Sequence, residues 1–448
     1  MRAPDIAILG AGESGVGAAI LAQKKGFNVW VSDKGVIAPK YKNVLLQYGI
    51  GWEEQQHTQD RILAARQIIK SPGIPDGVPL VQMALARGIP VISEIEFAAR
   101  YTQARKICIT GSNGKTTTTL LTWHMLRKAG FNAGLAGNVG KSFAWQVAEE
   151  NFDYYVLEIS SFQLDGMFDF KAEIAVLLNI TPDHLDRYDY DFDKYAESKF
   201  RILQNQTEED CFIFFDDDPV IQKHMARRQI RARCYPFSAH RHPAEGAFYD
   251  EDQQTIQITI KAEQIKMETK DLSLTGKHNL YNSMASAISA RLVDIRKEVI
   301  KQSLTEFENI EHRLEHVSVV RGVEFINDSK ATNINSAWYA LESMSKPVVW
   351  IVGGLDKGNE YSQLTELVRS KVKAIVCMGK DNSRIISAFR AVVPNIVETR
   401  NIRDAVRAGY YMGSPGDVVL LSPACASFDL FDNFEDRGKQ FKKEVFDL

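Results

Sequence analysis

Residues 106–120, KICITGSNGKTTTTL, run from a short apolar stretch through two glycines into a threonine-rich segment of helical character. A strand that ends in a glycine loop and enters a helix directly is the unit of parallel sheets, since the chain must cross a sheet face before it can return alongside itself. The pattern recurs: IAIL, NVWV, YYVLEI, IAVLLN, CFIFF, VVWIVG, AIVCMG and VVLLS alternate with amphipathic helical stretches almost throughout. An α/β chain built mainly on parallel sheets is expected. At 448 residues it exceeds what one core normally serves, and three domains are expected, near 1–95, 96–300 and 301–448. The seams fall at the helix-like EIEFAARYTQ and, after about residue 300, in FENIEHRLEHVSVVRGV; residues 245–275, with TIQITI, read as a small antiparallel insertion.

Composition narrows the classes. Apolar residues make up 45% and charged residues 25%, with a net charge of −3, so no broad basic field points to nucleic acid as a partner. The five cysteines (Cys108, Cys211, Cys234, Cys377, Cys425) are scattered without a close pair, which argues against a zinc ribbon or disulfide framework and suits a reducing compartment. Met1 leads into IAILG without a signal-peptide apolar region, and no stretch approaches the length of a membrane span. A cytoplasmic monomer is expected.

Two glycine turns compete as nucleotide sites. ILGAGESGVGAAIL places Gly10, Gly12 and Gly15 in the G-x-G-x-x-G spacing between a strand and a helix, with Ser14 inside the turn and Asp33 ending the next strand, VWVSD. Amides at that helix N-terminus can approach a diphosphate closely, whether of a dinucleotide or of another ligand, and a purely structural turn remains open. KSPGIP, carrying Ser71, Pro72 and Gly73, either faces the same ligand or is a rigid Pro-bounded turn. The loop at 107 lacks the glycine of the usual phosphate-loop fingerprint, Ile109 standing five residues before Gly114. It keeps Gly111, Ser112, Asn113, Gly114, Lys115, Thr116 and Thr117. Loop amides can cradle phosphates, Lys115 can neutralise their outer oxygens and the Thr116 hydroxyl can ligate Mg2+. Further along, Glu158 ends the strand YYVLEIS, Asn179 ends the strand IAVLLN, and Asp183, His184 and Asp186 follow it. Singly, each reads as a loop residue or a cap; together, at strand ends, the carboxylates are hard ligands for Mg2+, with His184 beside them as a further ligand or a phosphate contact.

TGSNGKTT, LEISSFQL, NITPDHLDR, YAESK, GKHNLYN, EHRLE, NDSKATN and LSPACASFDLFDNFEDRG occur in this order over essentially the whole chain. The set closely resembles the Mur ligase family, ATP-dependent enzymes that build the peptide stem of peptidoglycan. The resemblance implies a Rossmann-like N-terminal domain binding a UDP-sugar, a central P-loop ATPase-like mixed-sheet domain binding ATP, and a Rossmann-like C-terminal domain that binds the incoming amino acid and closes on ATP. It implies that Gly10, Gly12, Ser14, Gly15, Asp33, Ser71, Pro72 and Gly73 hold the uridine diphosphate and that Asn138 and His184 reach the muramoyl end. ATP would lie on residues Gly111 to Thr117, with His312, Arg313, Asp328 and Lys330 as further contacts. Two Mg2+ ions are implied, one near Thr116 and Glu158, the other near Glu158, His184 and Lys199. An ammonium cannot ligate a cation, and the resemblance implies that Lys199 is carbamylated by CO2; spacing alone, with Tyr195 four residues earlier on one helix face, reads Lys199 as a surface residue. Thr332, Lys357, Ser422, Ser427, Phe428 and Phe434 are implied to receive the amino acid, Phe428 standing where some relatives carry an aliphatic residue. The implied catalytic group is Lys115, Glu158, His184 and Lys199.

The expected reaction joins D-glutamate to UDP-N-acetylmuramoyl-L-alanine through an acyl phosphate. The strict glycine turn, the SPACASFD loop and the lack of a diamino-acid recognition run favour D-glutamate over the other amino acids the family adds. An NAD-dependent dehydrogenase would use Gly10, Gly12, Gly15 and Asp33 but leaves the second loop and the acidic strand ends idle. A non-enzymatic nucleotide-binding module explains the loops but not the carboxylates.

Overall fold

The computed structural model describes residues 3–307, 311–356 and 358–448; Lys357 and residues 308–310, part of the second seam, lie outside them. Three sheets are formed. The first has strands β1 (Ile6–Leu9), β2 (Val29–Ser32), β3 (Gly51–Glu53), β4 (Gln67–Lys70) and β5 (Val91–Ile92), all parallel, in the order β3-β2-β1-β4-β5. Strand order reverses between β1 and β4, and a parallel sheet opens a crevice at the carboxyl ends of the strands at such a point. The glycine turn after β1 and the SPG turn after β4 both border that crevice.

The second sheet has β6 (Arg105–Thr110), β7 (Ala133–Gly137), β8 (Tyr154–Glu158), β9 (Ile174–Leu177), β10 (Cys211–Phe215), β11 (Arg233–Ser238), β12 (Gly246–Asp250), β13 (Thr255–Ile260) and β14 (Glu263–Glu268). Its order is β14-β13-β12-β11-β10-β9-β6-β8-β7, with β13 antiparallel to both its neighbours, β12 and β14, and every other pair parallel. TIQITI is β13, so the antiparallel stretch extends the sheet edge. Its alternation has the expected cause: Ile256, Ile258 and Ile260 are buried while Gln257 and Thr259 are half-exposed. The third sheet contains β15 (Glu315–Val320), β16 (Val323–Asn327), β17 (Val348–Val352), β18 (Val372–Met378), β19 (Ile396–Thr399) and β20 (Val418–Leu421) in the order β15-β16-β20-β17-β18-β19, parallel except for β15. VVWIV and VVLL are buried at every position, as strands covered on both faces must be. Trp350 is fully buried and its indole N–H donates to the Ser422 carbonyl at 2.7 Å, so the largest core side chain leaves no polar atom unpaired.

The chain divides into two compact units, Met1–Leu272 with Asn279–Phe307, and Ser273–His278 with Glu308–Leu448. The first carries the first two sheets, tied together where the helix Glu13–Lys24 packs against the helix Phe143–Glu149. Among the described residues, no helix is long and apolar enough to cross a membrane.

Candidate active site

At the first glycine turn, Gly15 must lack a side chain, because a Cβ there would lie 1.9 Å from the Gly10 carbonyl oxygen. The space beside Gly12, the N-cap of the helix Glu13–Lys24, is open, with nothing within 4 Å of an added Cβ. An approachable helix N-terminus is what an anionic diphosphate requires. Asp33 braces the turn: its Oδ2 accepts from the Ala11 amide at 2.6 Å and its Oδ1 from the Gly35 amide at 2.7 Å. Ser14 is half-buried in the first helical turn. Ser71 lies against Gly10, its Oγ 2.5 Å from where a Gly10 Cβ would stand. The guanidinium of Arg187 donates to the carbonyls of Pro72 and Gly73, both at 3.3 Å, and stacks 4.3 Å from the Phe162 ring centroid. Arg187 carries the SPG turn to the central sheet, a role that NITPDHLDR gave no separate sign of.

The second turn is ordered by its neighbours. Gly114, at φ 83°, caps the helix Lys115–Lys128 in the left-handed region, and an added Cβ would lie 2.3 Å from Asn282 Oδ1. Asn113 and Asn179 exchange hydrogen bonds, the Asn113 amide donating to Asn179 Oδ1 at 2.9 Å and Asn179 Nδ2 donating to the Asn113 carbonyl at 3.1 Å. Ser112 Oγ donates to the Thr181 carbonyl at 2.8 Å and lies 3.0 Å from the Tyr195 hydroxyl. Lys115 folds back so that its Nζ donates to the Gly111 and Ser112 carbonyls, each at 2.8 Å. Thr116 and Thr117 are buried in the first helical turn. Asn282, from GKHNLYN, also places its Oδ1 3.2 Å from Thr118 Oγ1 and so fixes the helix that carries the loop.

The strand ends bring the acidic group in. Glu158 pairs in register with Ile109 of β6 and Gly137 of β7, which sets it at the end of the strand next to β6, the strand that leads into the loop. It is 1% exposed, and its Oε1 accepts from Asn138 Nδ2 at 2.8 Å, while the Asn138 amide donates to the Glu158 carbonyl at 2.8 Å. His184, at φ 51°, is half-exposed with Nε2 3.6 Å from Asp183 Oδ2 and its ring against Phe162. Lys199 is not on the surface: it is 1% exposed on the helix Phe192–Phe200, with Nζ 2.8 Å from the Gly111 carbonyl oxygen and 4.6 Å from the Tyr195 ring centroid. Burial first, and the nearby Lys115 charge second, hold its ammonium well below the usual lysine range, against the pull of Asp183 and Asp165. Thr116 and Glu158 offer hard oxygens that fit Mg2+. Among the described residues no group of three or more His, Cys, Asp or Glu side chains is arranged to hold a metal, so an ion here would complete its shell with oxygens of a bound phosphate and water.

In the second unit the corresponding residues also sit at strand ends. Asp328 follows β16 and is buried; its Oδ2 accepts from Ser422 Oγ, at the end of β20, at 2.9 Å, and its Oδ1 from the Leu314 amide at 3.3 Å. Burial pushes its carboxyl up to about 7 despite these donors and the nearby Arg313 and Arg437 charges. His312 is 2% exposed at φ 67°, with Nδ1 2.9 Å from Asn327 Nδ2 and its ring edge-on to Phe434. Lys330 lies with Nζ 4.8 Å from the Phe434 ring centroid. Phe434 thus stands with His312 and Lys330. Thr332 and Phe428 are exposed and Ser427 is buried. Arg437, absent from the sequence reading, is fully buried and ties these loops, donating to Ser329 Oγ at 2.9 Å, the Ser329 carbonyl at 2.7 Å and the Cys425 carbonyl at 3.2 Å. A buried guanidinium inside NFEDRGK leaves no periodic mark that separates it from a surface charge. Asp356 braces the turn after β17 by accepting from the Gly358 and Asn359 amides and Arg384 Nη1, each at 2.8 Å.

Comparison with known proteins agrees with this arrangement. Three family models match in series: "Mur ligase MurD-like, N-terminal domain" over residues 4–93, "Mur ligase middle domain" over 109–290 and "Mur ligase, glutamate ligase domain" over 312–425. UDP-N-acetylmuramoylalanine--D-glutamate ligases from Bacteroides fragilis and Porphyromonas gingivalis are each 54% identical, covering 99% of both chains, and that from Salinibacter ruber is 41% identical over 98% of this chain and 96% of its own. Among solved structures, UDP-N-acetylmuramate-alanine ligase MurC from Thermotoga maritima aligns with a TM-score of 0.63 at 15% identity over 99% of both chains. The MurF ligase of the same organism, in complex with ADP, aligns with a TM-score of 0.60 at 15% identity over 94% of this chain and 95% of its own. With its three sheets, its two glycine cradles and full-length relatives at 54% identity, the chain belongs to the Mur ligase family.

Proposed function

We propose that this chain is an ATP-dependent amide ligase that joins D-glutamate to UDP-N-acetylmuramoyl-L-alanine through an acyl phosphate. The observation that carries the reading is the pairing, in one compact unit, of an open diphosphate cradle at Gly12 with a second phosphate loop beside the buried Glu158. A dehydrogenase has no use for the second loop. The high identity to D-glutamate ligases supports the choice of amino acid. Residues 1–95 hold the sugar nucleotide on Gly10, Gly12, Ser14, Gly15, Asp33 and the SPG turn; 96–300 bind ATP; 301–448 bind the amino acid. The protein acts as a monomer in the cytoplasm.

A carboxylate resists amines because its oxygen is a poor leaving group, and phosphorylation removes that obstacle. The L-alanyl carboxylate attacks the γ-phosphorus of ATP, and the loop amides with Lys115 neutralise charge on the group in transit. The Lys115 ammonium, resting on the Gly111 and Ser112 carbonyls, exchanges these for phosphate oxygens when the nucleotide enters. Thr116 and Glu158 would hold Mg2+, which would supply Lewis-acid stabilisation of phosphate charge. A second Mg2+ would be held by Glu158, His184 and a carbamylated Lys199. The buried, depressed Lys199 supports this, since the neutral amine is the form that adds CO2 and releases a proton, and the carbamate N–H can still donate to the Gly111 carbonyl. The D-glutamate amine then attacks the acyl carbon and phosphate leaves. His312, Arg313, Asp328 and Lys330 serve the nucleotide; Thr332, Lys357, Ser422, Ser427, Phe428 and Phe434 receive D-glutamate. A panel of amino acids with this sugar nucleotide tests the assignment: D-glutamate alone should support rapid phosphate release, and preference for L-alanine or a diamino acid would refute it.

A further inference from the structure

Glu13 is out of place in an anion cradle. It is the first residue of the helix whose N-terminus opens at Gly12, where a carboxylate would repel an incoming diphosphate. Its side chain is turned elsewhere: Glu13 Oε1 accepts from the Ser142 amide at 2.9 Å. The same serine is gripped a second time. Its Oγ donates to Glu94 Oε1 at 2.7 Å, and that oxygen also accepts from the Ala144 amide at 2.6 Å. Glu94 and Ser142 are 3% and 4% exposed, and the Ser142 hydroxyl also caps the helix Phe143–Glu149 by accepting from the Trp145 amide.

Ser142 ends the short loop that carries Asn138. The neck of that loop is closed by Gln146, whose Nε2 donates to the Leu135 carbonyl at 2.5 Å and the Lys141 carbonyl at 3.3 Å, and by a bridge between Ala136 and Lys141. At its tip Asn138 holds Glu158 by both side chain and backbone. A closed loop with fixed ends transmits a displacement of Ser142 to Asn138 because it has few internal torsions left to absorb it.

We propose that Ser142, clamped between Glu13 and Glu94, is a positioning residue that couples occupancy of the glycine cradle to the placement of the Glu158 carboxylate. A diphosphate docking at Gly12 restrains the first helical turn, Glu13 restrains Ser142, and the loop sets Glu158 for the nucleotide's metal. The inference rests on the proposed function, since it needs both cradles to be substrate sites. Coupling between two sites is reciprocal, and values of about 5- to 150-fold are typical.

The test is a titration of the full-length protein with Mg2+ and a non-hydrolysable ATP analogue, with and without saturating UDP-N-acetylmuramoyl-L-alanine. In the unmodified protein the sugar nucleotide should tighten analogue binding by about 5-fold or more. Glu13→Ala, which removes the acceptor of the Ser142 amide, should bring that ratio to about 1 while each ligand alone binds within about twofold of the unmodified protein; Glu13→Gln, which keeps an oxygen acceptor for that amide, should restore it. Ser142→Ala, which keeps the amide but loses the Glu94 tether and the helix cap, should lower the ratio as well and supplies the readout should Glu13→Ala fail to fold. An unchanged ratio in the alanine variants, or no coupling in the unmodified protein, overturns the inference while leaving the ligase assignment standing. Failure of both ligands to bind the unmodified protein overturns both.

Discussion

A lysine nitrogen 2.8 Å from the Gly111 carbonyl, inside a 1% exposed side chain, sets what residue 199 can do. It cannot serve as a solvated surface charge, and as an ammonium it cannot hold a cation. Lys199→Ala should lower the rate of phosphate release by about 100-fold or more, a loss of the size expected when a group stabilising transition-state charge is removed. Addition of acetate or formate should restore part of it by supplying the missing carboxylate; full activity of the variant without additive would exclude a role for the carbamate. Lys115→Ala should abolish turnover yet leave sugar-nucleotide affinity, read by calorimetry, within about twofold, because uniform binding at the other cradle is untouched. The lysine at 115 is legible from its loop, where glycines and a following helix leave one use for a cation. Residue 199 is legible only through the family resemblance. Its helix is amphipathic, and nothing in a four-residue spacing tells that the lysine lies on the buried face with Tyr195 and Phe200.

Elements respond to backbone demands as well as to side chains. Gly114 caps its helix at φ 83° against Asn282, so Gly114→Ala adds a left-handed penalty of about 1–2 kcal/mol and a collision at 2.3 Å. Chemical denaturation should show a loss of about 2 kcal/mol or more, together with lost ATP binding; unchanged stability would mean the loop relaxes freely. The helix Glu94–Ala99 carries a different strain. Burial first, and the Glu13 charge in the same sense, push the Glu94 carboxyl up to about 7, overcoming the Ala144 and Ser142 donors. Its folded value is above its unfolded one, so its contribution is fully present below about 4.5 and is lost as pH rises through about 7. Glu94→Gln keeps an oxygen acceptor without the titration. Relative to the unmodified protein it should gain stability between pH 5 and pH 8, by on the order of 3 kcal/mol at most, read as the difference in denaturation midpoints; an equal difference at both pH values would contradict this. Strand positions are legible because β-branched runs mark them. The insertion of β20 between β16 and β17, and the joining of β12 to β14 onto the central sheet, are not, since both depend on pairings distant in sequence.

At the scale of the whole chain, the three-sheet architecture follows from repeated strand-loop-helix units, and the candidate residues gather at carboxyl strand ends because parallel sheets place their loops there. The tethers that hold these loops in place, Arg187, Asn282 and Arg437, escaped the sequence reading because a buried polar side chain is defined by contacts between distant segments. Two cradles in one unit make a claim about dependence: neither substrate alone should drive consumption of ATP. Phosphate release, measured with ATP and Mg2+ while UDP-N-acetylmuramoyl-L-alanine and D-glutamate are supplied singly and together, tests it most directly. The account predicts phosphate in step with amide product only when both are present. Release that is equally rapid without D-glutamate and yields no amide, or a nicotinamide absorbance change without ATP, would contradict it.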